Sequence, residues 1–180
     1  MRLFVAIELS NDIRRELAAL SKALKERSCG GRFVPAENFH VTLQFIGETD
    51  DIAGAAEAVR EAARDIRPFG IKLGEYGFFD RTRAGARKVA LVSVIPDSDE
   101  LNILHEALAS ALADRGFNLE HRRFVPHITL GRSVEHDELV TEELRSVPLS
   151  ASMEVAGITL FESVKQNGKQ VYLPLHRERF

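Results

Sequence analysis

The chain spells nearly the same phrase twice: RFVPAENFHVTL at residues 32–43 and RFVPHITL at residues 123–130, each ending in His, an aliphatic residue, Thr and Leu. The two histidines, His40 and His127, lie 87 positions apart in a chain of 180. Each half reads in the same order, a helix, a strand that opens on His, and another helix. This pattern constrains the fold to a duplicated α+β lobe related by an approximate twofold axis. Successive side chains of a strand point to opposite faces. His40 and Thr42 therefore share one face and Val41 and Leu43 the other, as His127 and Thr129 do against Ile128 and Leu130. The aliphatic pairs anchor each strand in a core, leaving an imidazole and a hydroxyl side by side on a rigid element.

The rest of the chain supplies the scaffold. Leu3, Val5, Ile7 and Leu9 alternate with Arg2, Phe4, Ala6 and Glu8, the period of a strand. Ser10 or Asn11 caps a helix over roughly residues 12–27, with Ile13, Leu17, Leu20 and Leu24 at helical spacing and an end marked by Gly30 and Gly31. Further helices are expected over roughly residues 51–66, 98–114 and 137–145. Strands are expected over Phe69–Phe79, Lys88–Ile95, Ser152–Lys165 and Gln170–His176, with Asn167 and Gly168 forming a type I′ hairpin turn. No linker breaks the pattern, so residues 1–180 read as a single bilobal domain.

Composition narrows the class. A formal net charge of −3 describes an ordinary soluble surface, so an anionic ligand must meet a local basic patch and not the overall field. That argues against a bulk nucleic-acid coat protein. The single cysteine, Cys29, sits in SCGG, read as a loop, and can form no internal disulfide, which implies a reducing, cytoplasmic setting. The opening apolar run is broken by Glu8 and is too short for a signal peptide or a membrane span.

Two imidazoles facing one groove can take opposite protonation states near neutral pH, because free His titrates at about 6.5. One accepts a proton while the other donates one, which suits in-line displacement at phosphorus. Thr42 and Thr129 would donate hydrogen bonds to the non-bridging oxygens, where negative charge grows. A phosphodiester carries one charge, so neither metal nor other cofactor is expected. The remaining histidines, His105, His121, His136 and His176, are not spaced as a metal cage and read as surface or satisfied residues. Arg132, five positions past His127 near the strand end, either offers its planar fork to a phosphate oxygen or is simply a solvent-exposed strand end. Arg81, Arg83, Arg87 and Lys88 form a basic turn able to guide a polyanionic ligand, although such a turn is usually just solvated. Arg122 and Arg123 precede the second phrase.

HVTL at 40–43 and HITL at 127–130 resemble the paired HxTx motifs of the two-histidine phosphoesterase superfamily. The runs RLFVAIEL, PAENFHVTLQFIGE and FVPHITLGR are similar to its LigT-like branch, the bacterial and archaeal RNA 2′,3′-cyclic phosphodiesterases, also called ThpR or 2′-5′ RNA ligases. The resemblance implies two α+β lobes whose antiparallel sheets face a central V-shaped groove, with helices outside. It also implies metal-independent opening of a terminal 2′,3′-cyclic phosphate to a 2′-phosphomonoester. By motif, His40 matches the proton donor to the leaving O3′, His127 the base that activates water, and Thr42 and Thr129 the phosphate-holding hydroxyls. A 5′-hydroxyl replacing water would run the reaction as ligation. Members of this branch often carry an aromatic in the strand matched by KVALVSV, but this chain has no Trp, and Phe45 is the stacking candidate.

The expected partner is thus RNA with a 2′,3′-cyclic phosphate end, or a small nucleoside cyclic phosphate, acted on by a monomer free of membranes. Two alternatives stand beside this reading. One is an enzyme for another cyclic phosphate, such as that of ADP-ribose or a small cyclic nucleotide. The other is a module that binds RNA or a nucleotide without turnover.

Overall fold

The computed structural model describes residues 1–79, 88–120 and 123–180. Nine strands and four α-helices follow one another as β1 (Arg2–Glu8), α1 (Asn11–Arg27), β2 (Gly30–Phe33), β3 (His40–Glu48), α2 (Ile52–Ala63), β4 (Phe69–Phe79), β5 (Val89–Pro96), α3 (Glu100–Ala113), β6 (His127–Glu135), α4 (Glu138–Arg145), β7 (Ser152–Val155), β8 (Gly157–Gln166) and β9 (Lys169–Arg179). The strands form one sheet in the order β7-β4-β5-β6-β3-β1-β8-β9, with β2 pairing separately on β6. Every ladder is antiparallel.

The two His phrases meet at the middle of this order. The β3–β6 ladder has one registered pair, Val41 with Ile128. On one side lie β3, β1, β8 and β9, and on the other β6, β5, β4 and β7, so the two halves of the sheet mirror one another in strand order. This is the α+β bilobal arrangement the repeat implies, except that the two sheets are joined into one.

Helices form where capping and apolar spacing agree. Ser10 Oγ accepts from Ile13 N at 3.4 Å and Asp51 Oδ1 from Gly54 N at 2.8 Å. Asp137 Oδ1 does the same for Val140 N at 2.9 Å. Ile13, Leu17 and Leu24 of α1 and Leu101, Leu104, Leu108 and Leu112 of α3 are fully enclosed. Each such side chain contributes roughly 1.5–3 kcal/mol of burial. The helices cross over between lobes. α1 follows β1 but packs with β2, β7 and α4 on the β6 side, while α3 follows β5 but packs with α2 and β3 on the β3 side.

Two expectations change. Only the first half of the SCGG segment is a loop: Cys29 N donates to Glu135 O at 2.8 Å, and Gly30–Phe33 pairs with β6. Its partner lies about a hundred residues away, out of reach of local sequence patterns. Gly31 has φ 141°, and a Cβ there would lie 3.1 Å from Val134 Cα, so the register shift in this strand requires glycine. The tail segment expected as one strand, Ser152–Lys165, is divided at Ala156. β7 pairs with β4 at one edge of the sheet, while β8 pairs with β1 and β9 in the other half. The chain thus changes lobes in mid-extension, which an uninterrupted apolar alternation does not signal. The Asn167-Gly168 turn has φ 51° and 78°, both positive as a type I′ turn demands.

Candidate functional site

Antiparallel pairing of Val41 with Ile128 sets His40 opposite Thr129 and Thr42 opposite His127. Both aliphatic residues are fully buried, so the four polar side chains stand on the opposite, groove-facing side of the crossing strands. The structure therefore brings together all four motif residues.

The two imidazoles are oriented by the same device. His40 Nδ1 lies 2.7 Å from the carbonyl of Asn38, and His127 Nδ1 lies 2.7 Å from the carbonyl of Val125, in each case two residues before the histidine. A carbonyl only accepts, so each Nδ1 carries the proton and each Nε2 is free to accept one. Thr42 Oγ1 donates to His40 Nε2 at 2.9 Å. His127 Nε2 has no hydrogen-bond partner among the described residues.

Burial pushes the His40 pKa down to about 4, aided by the charges of His127, Arg132 and Arg14 and opposed by the Asn38 carbonyl. Burial also lowers that of His127, with Arg132 contributing and the Val125 carbonyl opposing. Both rings are thus neutral in the free protein at neutral pH, and both feel the Arg132 guanidinium.

Arg132 reaches this face through a matched irregularity. In β6 the ladder to β5 slips between Thr129 and Gly131, and in β3 the ladder to β1 slips between Thr42 and Gln44. The extra residue is the Leu that ends each phrase, Leu130 or Leu43. It flips the alternation, burying Gly131 and Gln44 and exposing Arg132 and Phe45. Without these bulges both side chains would point into the core. Phe45 is 51% exposed and its ring lies 6.1 Å from that of Phe4.

The walls of the two half-sites differ. The His40 ring contacts Phe4 at 5.1 Å and meets the edge of Tyr172 at 5.2 Å, while among the described residues His127 meets Phe79 alone, edge-on at 4.9 Å. A cavity of about 160 Å³ adjoins His40, lined in part by Glu8, Arg14, Tyr172 and Arg177. Hydrogen bonds from Arg177, opposed by burial and helped by Thr159, hold the Glu8 carboxyl below its usual range. Tyr172, Phe79 and Arg14 escaped sequence reading. The tail hairpin bears no motif, and only the register of β8 with β9 brings Tyr172 over the groove.

Lys88 Nζ sits 4.5 Å above the Phe78 ring. Arg81, Arg83, Arg87, Arg122 and His121 lie outside the described residues. His136 bonds Tyr76 Oη at 2.6 Å and His176 bonds Glu178 at 3.0 Å, as expected of satisfied histidines. Among the described residues no group of three His, Cys, Asp or Glu side chains could hold a metal ion. Among the described residues no helix is long and apolar enough to cross a membrane.

Comparison with known proteins agrees with this layout. The family profile described as the 2′-5′ RNA ligase superfamily matches residues 5–167. An RNA 2′,3′-cyclic phosphodiesterase of Thermotoga maritima is 34% identical over 134 residues, covering 73% of this chain and 70% of that protein. One of Archaeoglobus fulgidus is 29% identical over 177 residues, 97% and 98% of the two chains. The crystal structure of Escherichia coli LigT in apo form superposes with a TM-score of 0.78 at 29% identity, covering 99% of this chain and 96% of that one.

Proposed function

Because the chain belongs to the 2′-5′ RNA ligase superfamily, we propose that it hydrolyses a terminal RNA 2′,3′-cyclic phosphate to a 2′-phosphomonoester, using His40 and His127 as acid and base without a metal. One observation carries the reading: two imidazoles from opposite lobes, each fixed through Nδ1 by a backbone carbonyl, with Nε2 turned to the groove.

In this mechanism the cyclic phosphate enters between the lobes with its non-bridging oxygens toward Thr42, Thr129 and Arg132. Thr42 first releases His40, because its hydroxyl caps Nε2 in the free protein. The anionic phosphate then favours a proton on His40, offsetting the burial that otherwise keeps this ring neutral. Water attacks phosphorus as His127 Nε2 takes its proton. The bond from phosphorus to O3′ breaks, and His40 Nε2–H delivers a proton to O3′. A 2′-phosphate and a free 3′-hydroxyl result, and solvent returns a proton from His127 to His40. A 5′-hydroxyl in place of water would form a 2′-5′ linkage.

Products from an oligonucleotide bearing the cyclic end test the reading. A terminal 2′-phosphate, formed at an unchanged rate in the presence of a chelator, is expected. A terminal 3′-phosphate would place the acid on the wrong oxygen, and no product at all would leave a binding module.

A further inference from the structure

Each catalytic ring depends on a carbonyl in a segment outside the sheet, and each segment is pinned by a helix packed on the opposite lobe. The residues before His40 are held by α1: Arg14 donates from Nη1 to Ala36 O at 2.9 Å and Glu37 O at 3.0 Å, and from Nε to Leu9 O at 3.2 Å. Among the described residues no guanidinium holds the segment before His127 in this way. There, the imidazole of His105 in α3 stacks on Phe124, with centroids 4.1 Å apart and planes within 7°. Phe124 adjoins Val125, whose carbonyl holds His127 Nδ1, and Pro126, whose carbonyl accepts from Val94 N at 3.1 Å. Those contacts and the stack fix residues 124–126, which belong to no strand or helix.

Building on the proposed function, we infer that His105 is a positioning residue for His127, acting through Phe124 and the Val125 carbonyl. The arrangement is a cross-brace. α3 rests on β3 and α2 in one lobe while its His105 sets the imidazole of the other, and α1 does the converse for His40. The spacing of the two rings across the groove is thereby tied to the helices and not to the single pair joining β3 and β6. A flat aromatic ring is what the contact needs, so a phenylalanine can replace the imidazole. Its charge has no part in the task.

His105→Ala, His105→Phe and Phe124→Ala test the assignment, read by NMR titration of His127 and by turnover of a nucleoside 2′,3′-cyclic phosphate. The Val125 carbonyl raises the His127 pKa, so slackening it in His105→Ala lowers the titration midpoint. The misplaced ring should cost between about ten- and a hundredfold in kcat, with KM little changed. His105→Phe restores both readouts, and adding His105→Ala to Phe124→Ala makes neither worse. Unaltered His127 titration in folded His105→Ala overturns the inference, as does a His105→Phe variant as impaired as the alanine. The NMR measurement needs no turnover, so it stands even if the cyclic phosphate proves to be the wrong substrate.

Discussion

The lobes present the same His-x-Thr pair on the same kind of strand, yet their surroundings are not equivalent. His40 is capped by Thr42, flanked by Phe4 and Tyr172, and pushed down to a pKa of about 4, whereas among the described residues His127 has an open Nε2 and one aromatic neighbour. The matched bulges put Phe45 on the groove in one lobe and Arg132 in the other. Duplication thus supplies two rigid imidazoles. In the proposed mechanism their division of labour arises from residues that the repeat does not share: a ring with an open lone pair suits the base, and an enclosed ring suits the group that is charged only when the anion is bound.

Removing either ring is the most severe way to break the comparison. His40→Ala and His127→Ala should each lower kcat by about 10² to 10⁴, the range for loss of one acid or base. Steady-state turnover of a cyclic nucleotide measures this. A variant retaining full activity would remove that histidine from the chemistry.

The pKa difference has a consequence for stability. His40 titrates at about 6.5 when unfolded and about 4 when folded, so the unfolded chain binds protons first as pH falls. The neutral ring's stability is fully present above pH 6.5 and declines toward pH 4, by roughly 3 kcal/mol. Urea unfolding at several pH values should show this loss reduced in His40→Asn. An identical slope in both proteins would contradict the depressed pKa.

The same shifts place the maximum of kcat/KM on the acid side of pH 6.5. Above both pKa values the acid lacks its proton, and below both the base carries one. The alkaline limb of kcat should lie at higher pH than that of kcat/KM, because a bound anion favours the imidazolium. A plateau in kcat/KM extending well above pH 7 would refute this.

Phe45 and Arg132 sharpen the contrast with smaller effects. Arg132→Lys loses the bidentate fork and should cost about tenfold or more in kcat/KM on any cyclic phosphate. Phe45→Ala should cost about fivefold on an oligonucleotide and leave a substrate without a second base unchanged, since stacking is worth about 1–3 kcal/mol per base. Equal losses on both substrates would make Phe45 a packing residue.

The phrase itself and the alternation around it made the four motif residues legible, and β4 begins and ends where its pattern does, at Phe69 and Phe79. What stayed hidden depends on partners distant in the chain. β2 exists because β6 offers it an edge, and Ala156 divides a strand because the ladders on either side belong to different lobes. A bulge leaves no mark on composition, so the placement of Arg132 on the groove was legible only as a position near the strand end. Tyr172 and the stack of His105 on Phe124 arise from packing alone.

The central claim is that His40 protonates the departing oxygen while His127 activates the nucleophile. A phosphodiester with a p-nitrophenyl leaving group needs no protonation on departure, so comparing the two alanine variants on this ester and on a cyclic phosphate tests it most directly. His40→Ala should recover most of its activity on the activated ester while His127→Ala stays impaired. Recovery by His127→Ala instead, or equal impairment of both variants, would contradict it.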